Sequence, residues 1–526
     1  MGKIQIYDTT LRDGAQGEGI SFSLEDKIRI ARRLDKIGVH YIEAGWPGSN
    51  PKDMEFYRRM LDYPFRSARL AAFCSTRRAG TVPEDDANLR AVLDCGVRTA
   101  TMVGKSWDFH VFRALNTTLE ENLDMVRQSV AFLKAHGLEV IYDAEHFFDG
   151  YKAQPEYALA TLKAAQEAGA DTIVLCDTNG GTLPTEITEI VSRVCGELRV
   201  PVGIHTHNDS GLAVANSIMA VEAGAVMVQG TVNGYGERCG NADLCVVIPN
   251  LAVKKRLSTI PRENLVYLTD LSRYVSEIAN MNPDPRQPYV GSSAFAHKGG
   301  IHVNALLKDS GTYEHIPPES VGNTRRVLVS ELSGISNLVY KFRELNLNGN
   351  HHGEENRQLL AQLKELESQG FQFEGAEGSL ELLLRKAYDG YRRPFALEGM
   401  RLLTDLKDDR VIHSEAVIKL KVNDQIVHTA AEGNGPVNAL DNALRKALEE
   451  FFPGINEMQL NDYKVRVLDE KAGTEAVVRV LIETGDGRKT WGTVGVSSNI
   501  IEASWQALAD SFAYGILKRQ EDQSSS

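Results

Sequence analysis

Several features that would assign this chain to a special class are missing from its 526 residues. No stretch approaches the 18 consecutive apolar residues of a transmembrane helix. The N-terminal segment MGKIQIYDTT lacks the long apolar region of a secretory signal peptide. Basic residues are fewer than acidic residues: the chain has 58 Lys and Arg but 71 Asp and Glu, which gives a net charge of −13. We therefore expect no membrane and no nucleic-acid partner.

Cysteine is sparse, and the common phosphate-binding glycine patterns are missing. The six cysteines form neither a CxxC pair nor the even framework of a disulfide-rich fold. Reduced thiols are typical of the cytoplasm, so we expect a cytoplasmic location. No GxGxxG follows the first predicted strand, and no GxxxxGK precedes a Ser or Thr. These absences disfavour a dinucleotide-binding or P-loop fold.

Short apolar runs alternate with helical patterns over the first half of the chain. Eight runs are rich in Val, Ile, Thr or Tyr, as buried parallel strands are. They span Lys3–Tyr7, Tyr41–Ala44, Arg69–Phe73, Thr99–Val103, Glu139–Asp143, Thr172–Cys176, Val202–His207 and Ala225–Thr231. Eight strands in about 250 residues predict an α/β fold, a (β/α)₈ TIM barrel over residues 1–280. A doubly wound sheet is the alternative, although it more often has five to seven strands.

The rest of the chain divides into two further parts. Residues 281–400 start with a proline-rich stretch and continue with short, densely charged helical patterns, which indicates a helical connecting subdomain. Residues 401–520 show the order strand, turn, strand, loop, helix twice, which predicts a C-terminal α+β domain with a pseudo-twofold repeat. The polar loops Gly433–Gly435 and Ser497–Asn499 each precede a predicted helix, so each could offer a carboxylate site.

Polar side chains follow the predicted strands where a TIM barrel carries its chemistry. Arg12 and Asp13 follow the first strand, His205 and His207 lie at the end of the seventh, and Asn241 follows the eighth. Two residues apart on an extended strand, the histidines face the same side. Asp13 is a neighbour because strands one and eight close a barrel, and Asn241 could add an amide oxygen. The set suits a divalent metal ion such as Mn²⁺, Mg²⁺ or Zn²⁺.

Each of these signals has a plainer interpretation. A lone His-x-His is equally often two surface or hydrogen-bonded histidines, but the neighbouring Arg-Asp-Gly and the glycine-rich loop after strand eight favour the metal site. Arg12 is either a structural ion pair or a clamp for a carboxylate or keto oxygen. Glu145 either orients a proton-transfer group or is a solvated loop carboxylate. Thr178 either donates to a small acid or is an ordinary turn residue.

Four segments together resemble the DRE-TIM metallolyase superfamily. They are Asp-Thr-Thr-Leu-Arg-Asp-Gly at 8–14, His-x-His at 205–207, Gly-x-Gly-Glu-Arg-x-Gly-Asn at 234–241 and His-Lys-Gly-Gly-Ile-His at 297–302. The C-terminal part resembles the regulatory dimer domain of the 2-isopropylmalate synthase and homocitrate synthase branch. The resemblance therefore covers nearly the whole chain. Within the branch, the segment at 12–23 is most similar to citramalate synthases of the bacterial isoleucine route.

The resemblance implies a site, a reaction and an assembly. It implies metal ligands at Asp13, His205, His207 and Asn241, a keto-acid clamp at Arg12 and Thr178, and proton transfer by Glu145, His302 and Tyr313. The last two roles come from the resemblance alone, since His302 by itself would be interpreted as structural. The implied reaction is a Claisen-type condensation of acetyl-CoA with pyruvate to (R)-citramalate, inhibited by isoleucine. The implied assembly is a homodimer in which the histidine segment reaches the partner's active site.

Three rival functions remain at this point. The nearest is a 2-isopropylmalate synthase, which uses the larger 2-oxoisovalerate. A lyase of the same superfamily would cleave a carbon–carbon bond, but simple lyases lack the long C-terminal domain. A non-catalytic amino-acid sensor would keep the barrel only as a scaffold, and the intact set of Arg12, Asp13, the His-x-His pair and Asn241 argues against it.

Overall fold

The computed structural model of the chain describes residues 2–347, 353–388, 390–406, 412–469, 473 and 475–524. The chain forms two compact units. The first is Met1–Phe295 with Ile316–Arg325, and the second is Ala296–His315 with Arg326–Ser526. In the described ranges, no helix combines the length and apolar character needed to cross a bilayer. The six cysteines, all within these ranges, are free thiols.

Within the described residues of the first unit, eight parallel strands close into a barrel in sequence order. They are β1 (Gln5–Asp8), β2 (Tyr41–Glu43), β3 (Arg69–Ser75), β4 (Thr99–Lys105), β5 (Glu139–Glu145), β6 (Thr172–Asp177), β7 (Val202–Thr206) and β8 (Met227–Gly230). β1 pairs in parallel with both β2 and β8. The predicted TIM barrel is therefore confirmed, and the doubly wound alternative is excluded because the sheet has no open edge.

Helices surround these strands, and their ends follow local sequence signals. They are α1 (Leu24–Ile37), α2 (Pro51–Met60), α3 (Ala87–Asp94), α4 (Asp108–His110), α5 (Leu119–Ala135), α6 (Phe147–Ala153), α7 (Pro155–Glu167), α8 (Pro184–Glu197), α9 (Ala213–Glu222), α10 (Leu244–Pro249) and α11 (Leu268–Ile278). A capping box begins α1: the Asp26 N–H donates to Ser23 Oγ at 3.2 Å, and the Ser23 N–H donates to Asp26 Oδ2 at 2.9 Å. Gly38 ends the helix with φ of 99°.

The barrel interior changes from apolar to polar along several of its strands. Tyr7, Tyr41, Ile141, Val174 and Met227 belong to one buried apolar cluster. Because side chains alternate between faces, the next inward residue lies two positions further along the strand. On β2, β5 and β8 these next residues are Glu43, Asp143 and Gln229, all buried. The barrel interior therefore has an apolar layer and, nearer the C-terminal ends of the strands, a polar layer.

The second unit contains helices and two antiparallel sheets. Its elements are β9 (Ala296–His297), α12 (Gly300–Leu306), β10 (Arg326–Val327), α13 (Ile335–Glu344), α14 (Gly353–Ser368), α15 (Glu377–Tyr388), β11 (Phe395–Leu406), β12 (Ile412–Val422), β13 (Gln425–Gly433), α16 (Pro436–Leu448), β14 (Gln459–Val467), β15 (Val478–Gly485), β16 (Thr490–Ser497) and α17 (Ile500–Ser524). The predicted helical subdomain and C-terminal α+β domain are both confirmed.

The C-terminal repeat is larger than the sequence predicted. Each predicted strand pair is present, β12 with β13 and β15 with β16, but each sheet has a third strand, β11 or β14. Most side chains of β14 are exposed, and they include the alternating Val465 and Val467. β11 begins at Phe395, inside the segment predicted to be helical. Its pairing with β12, rather than its own pattern, makes it a strand.

Candidate active site

A cavity of about 550 Å³ lies at the C-terminal ends of the barrel strands. Six of the nine predicted site residues line it: Arg12, Asp13, Glu145, Thr178, His205 and His207. They come from the ends of different strands, far apart in the sequence, and barrel closure brings them together. Trp46, Phe73, Val103, Leu115 and Met125 add an apolar wall. The cavity therefore combines charged groups with a surface for a small apolar substituent.

Asp13, His205 and His207 form a compact group of potential metal ligands. One ligand atom from each lies within 4.8 Å of the others. His205 Nε2 lies 3.3 Å from Asp13 Oδ2 and 3.3 Å from His207 Nε2. The two histidines are only 5% and 6% exposed, so the interpretation as surface histidines is wrong. Burial and the neighbouring His205 lower the pKa of His207 to about 4, which leaves a neutral ring able to ligate a metal.

Asn241 supplies an unused oxygen beside this group. Its backbone forms an antiparallel bridge with His207. Its Nδ2 donates to the Tyr235 carbonyl oxygen at 3.2 Å, while its buried Oδ1 has no hydrogen-bond partner among the described residues. A buried polar atom without a partner is unusual and calls for a ligand. An amide oxygen, a carboxylate and two imidazoles fit a divalent metal ion.

The loop that carries Asn241 depends on glycine at position 240. Gly240 has φ of 85°, and a Cβ there would lie 1.9 Å from the Gly234 carbonyl oxygen. Only glycine accepts this conformation and close approach together. The Gly-rich stretch after β8 thus places Asn241 next to the His-x-His segment.

Gln229 orients His205 from below the cavity. His205 Nδ1 donates to Gln229 Oε1 at 2.9 Å, and Gln229 Nε2 donates to Asp143 Oδ1 at 2.9 Å. With its proton on Nδ1, His205 keeps the lone pair of Nε2 for a metal ion that Asp13 would share. Burial and the nearby Glu43 carboxylate raise the pKa of Asp143 to about 7. Gln229 was not predicted, although it occupies the inward position two residues after Met227.

Arg12 is held between a buried carboxylate and an aromatic ring. Its Nε donates to Glu43 Oε1 at 2.5 Å, its Nη1 lies 3.3 Å from Asp13 Oδ2, and its Cζ lies 4.0 Å from the centre of the Phe73 ring. Burial alone would raise the pKa of Asp13, but Arg12 and His205 lower it below its ordinary value. Arg12 is therefore a fixed cation at the cavity wall. Sequence reasoning missed Glu43.

Glu145 and Thr178 lie opposite this cation in the wall. Glu145 is the last residue of β5 rather than a loop carboxylate, and it forms an ion pair with Lys105, its register partner on β4. Lys105 also lines the cavity and was not predicted. Thr178 Oγ1 accepts the His146 N–H at 2.9 Å, so its own hydroxyl proton stays available for a second partner.

His302 and Tyr313 belong to the second unit. Their rings stack with centroids 4.1 Å apart and planes at 24°. Nearby in the sequence, His297 Nε2 lies 3.2 Å from Glu314 Oε1 in a buried pair. His302 and Tyr313, both predicted site residues, therefore lie in contact with each other.

The orientation of His205 yields a testable prediction. We expect Gln229→Leu to weaken metal affinity about 10–100-fold, because loss of the hydrogen bond at Nδ1 frees the imidazole to rotate or change tautomer. Calorimetric titration of Mn²⁺ into chelator-treated protein measures this effect. Gln154→Leu, at an exposed position, is the matched control and should leave affinity unchanged. Equal affinity in the Gln229 variant and wild type would contradict the positioning role.

Family models match three consecutive parts of the chain. The HMGL-like family matches residues 3–275, the homocitrate synthase post-HMGL domain-like family matches residues 289–370, and the LeuA allosteric (dimerisation) domain matches residues 374–516. The first match covers the barrel that carries the cavity. The third covers the two antiparallel sheets with α16 and most of α17.

Curated relatives match along the whole chain. The (R)-citramalate synthase of Geobacter sulfurreducens is 55% identical over 526 residues, which is 100% of both chains. That of Aquifex aeolicus is 54% identical over 522 residues, 99% of each. The 2-isopropylmalate synthase of Methanocaldococcus jannaschii is 32% identical over 523 residues, 99% of this chain and 96% of the relative. The chain therefore belongs to the (R)-citramalate synthase family, a group of acyltransferase-type condensing enzymes built on the HMGL-like barrel.

Proposed function

We propose that this chain condenses acetyl-CoA with pyruvate and water to give (R)-citramalate and CoA. One observation carries the proposal. The potential metal ligands and the fixed Arg12 cation line the same cavity, which also has an apolar wall. Asp13, His205, His207 and Asn241 would hold the metal ion. Bound there, Mn²⁺, Mg²⁺ or Zn²⁺ would supply Lewis-acid polarisation of the keto group.

Arg12 and Thr178 bind and orient the 2-oxo acid. The Arg12 guanidinium donates to the keto oxygen and stabilises the alkoxide that develops there. Because Glu43 and Phe73 hold it in place, it needs no reorganisation during the reaction. The free hydroxyl proton of Thr178 is donated to the substrate carboxylate. The methyl group of pyruvate then lies against the apolar wall.

His302 removes a proton from the acetyl methyl group, with Glu145 and Tyr313 orienting the transfer. The resulting enolate carbon attacks the keto carbon of pyruvate, and the alkoxide takes up a proton. Water then cleaves the thioester and releases the CoA thiol. Lys105 holds the Glu145 side chain in the cavity wall through their ion pair. The part played by His302 is supported by the likeness of residues 297–302 to the family motif, and that of Tyr313 by the stacking of its ring on His302. We also propose a homodimer in which each chain's segment completes its partner's site.

Removal of a metal ligand tests the catalytic part. We expect His207→Ala or Asp13→Ala to abolish turnover while far-ultraviolet circular dichroism stays unchanged, because each substitution removes one ligand from a packed barrel. Thiol release from acetyl-CoA in the presence of pyruvate measures turnover. His136→Ala, at the exposed C-cap residue that follows α5, is the control and should retain activity. Normal activity of wild type after chelation would rule out the metal.

Substrate size separates the proposal from its nearest rival. Pyruvate should exceed 2-oxoisovalerate in kcat/KM by about tenfold to a few hundredfold. If the wall closes around a methyl group, an isopropyl group overpacks it at a cost of about 1–3 kcal/mol. Thiol release against both 2-oxo acids measures the ratio. An equal or reversed preference would favour 2-isopropylmalate synthase activity.

The helix N-terminus of α16 supports an effector site for isoleucine in the C-terminal domain. The N-cap Gly435 has no side chain that could cap α16, and no side chain in the described part of the chain caps its first N–H groups. The N-terminus of α17 is already capped, because Asn499 Oδ1 accepts the Ile501 N–H at 2.8 Å. A helix N-terminus favours a carboxylate through its free N–H groups and dipole. Of the two carboxylate sites expected from the sequence, we therefore propose the one at the N-terminus of α16 for isoleucine.

A charge change at this N-terminus tests the effector. Isoleucine should inhibit the full-length enzyme and leucine much less. Gly435→Asp should remove inhibition, because its carboxylate would cap the helix and repel that of the effector. Gly435→Ala is the matched control: the glycine is extended, with φ of −176°, and has open space around it, so alanine fits. Calorimetry showing no isoleucine binding, or equal inhibition of both variants, would contradict the assignment.

A further inference from the structure

A second cavity, of about 820 Å³, lies within the first unit at the other end of the barrel. Its wall includes Lys3, His40 and Ser67, which precede β1, β2 and β3, together with part of the segment 252–262. Residues that precede parallel barrel strands meet at the N-terminal face. The candidate active site follows the strands, so the two cavities occupy opposite faces.

The wall of this cavity is basic in an acidic chain. It contains Lys3, His40, Arg256 and Arg262 and no Asp or Glu, although the chain as a whole carries a net charge of −13. Across the described residues, no ion pair or side-chain hydrogen bond engages the charged groups of Lys3, Arg256 or Arg262. Clustered cations without counter-ions repel one another and favour a bound anion.

His40 adds a neutral donor to the wall. Its Nδ1 accepts the Ile6 N–H at 3.0 Å, which places the ring proton on Nε2. Burial, Lys3 and Arg69 lower the pKa of His40 to about 4, so the ring is neutral near pH 7. Arg69 itself is paired with Glu139.

The segment that carries the arginines is held firmly against the barrel. The Ile4 N–H donates to the Ser258 carbonyl oxygen at 2.8 Å, and Asn264 Nδ2 donates to the Ile37 carbonyl oxygen at 2.9 Å. Thr259, in the same wall, is 5% exposed, and its Oγ1 has no hydrogen-bond partner in the described part of the chain. The wall is thus a built surface rather than a mobile loop.

We propose that this cavity binds a nucleoside di- or triphosphate. Three unpaired cations match the charge of a polyphosphate, and guanidinium groups bind phosphoryl oxygens in a bidentate manner. The apolar side chains of Val253 and Leu257 in the same wall receive the nucleoside. Such a ligand would bind away from the cavity of the candidate active site, and the proposal does not depend on the reaction assigned there.

Binding of ATP and of pyrophosphate tests the site. Both are titrated calorimetrically into the full-length protein with chelator and without acetyl-CoA, whose own adenosine diphosphate group would compete for the proposed site. We expect ATP to bind more tightly than pyrophosphate, and the double variant Arg256→Gln, Arg262→Gln to weaken ATP at least tenfold. Arg199→Gln, an exposed arginine outside the cavity wall, is the matched control and should bind as wild type. ATP should also raise the Tm of wild type but not that of the double variant.

Each other outcome overturns part or all of the proposal. Failure of ATP to bind wild type, or equal binding by the double variant, would eliminate the site. An equal loss in Arg199→Gln would show diffuse attraction to surface charge instead of a cavity. If pyrophosphate binds as tightly as ATP, the apolar wall contributes nothing and the nucleoside part is wrong. Unchanged circular dichroism of the double variant excludes misfolding as the cause of weaker binding.

Discussion

The site depends on one buried interaction, the hydrogen-bonded ion pair between Glu43 and Arg12. Glu43 is fully buried and accepts hydrogen bonds from Arg12 Nε, Tyr7 Oη and Thr9 Oγ1 at 2.5–2.6 Å. A buried carboxylate is costly unless it is paired and hydrogen-bonded, so removal of any partner is penalised. Arg12 is thereby fixed beside Asp13 as a cation in the wall of the candidate active site.

The twofold period of the strands extends this arrangement across the barrel. Two positions beyond the buried apolar cluster, the inward residues of β2, β5 and β8 are Glu43, Asp143 and Gln229, and the corresponding residue of β7 is His205. These groups hydrogen-bond to one another or to the residues above them, which satisfies polar atoms that would otherwise be buried without partners. Each side chain of this layer is therefore held in a single orientation, which the proposed reaction would also require.

The family assignment narrows the rival functions considered from the sequence. The LeuA allosteric (dimerisation) domain at 374–516 is the domain that simple lyases of the superfamily were expected to lack. The curated 2-isopropylmalate synthase lies at 32% identity, against 54–55% for two (R)-citramalate synthases. A sensor that kept only the scaffold would have no need of an intact Asp13, His205 and His207 group beside Arg12.

Local patterns in the sequence determined the eight barrel strands, the α1 capping box, and the His-x-His geometry that places two imidazoles on one face. The resemblance to a known family added His302 and Tyr313. Tertiary structure alone decided which residues support the site: Gln229 lies 86 positions from Asp143, and Lys105 lies 40 from Glu145. It likewise made β11 and β14 strands through their neighbours. The reason is physical, because local propensity and periodicity report the burial of a residue, whereas its hydrogen-bond partner is set only when the barrel closes.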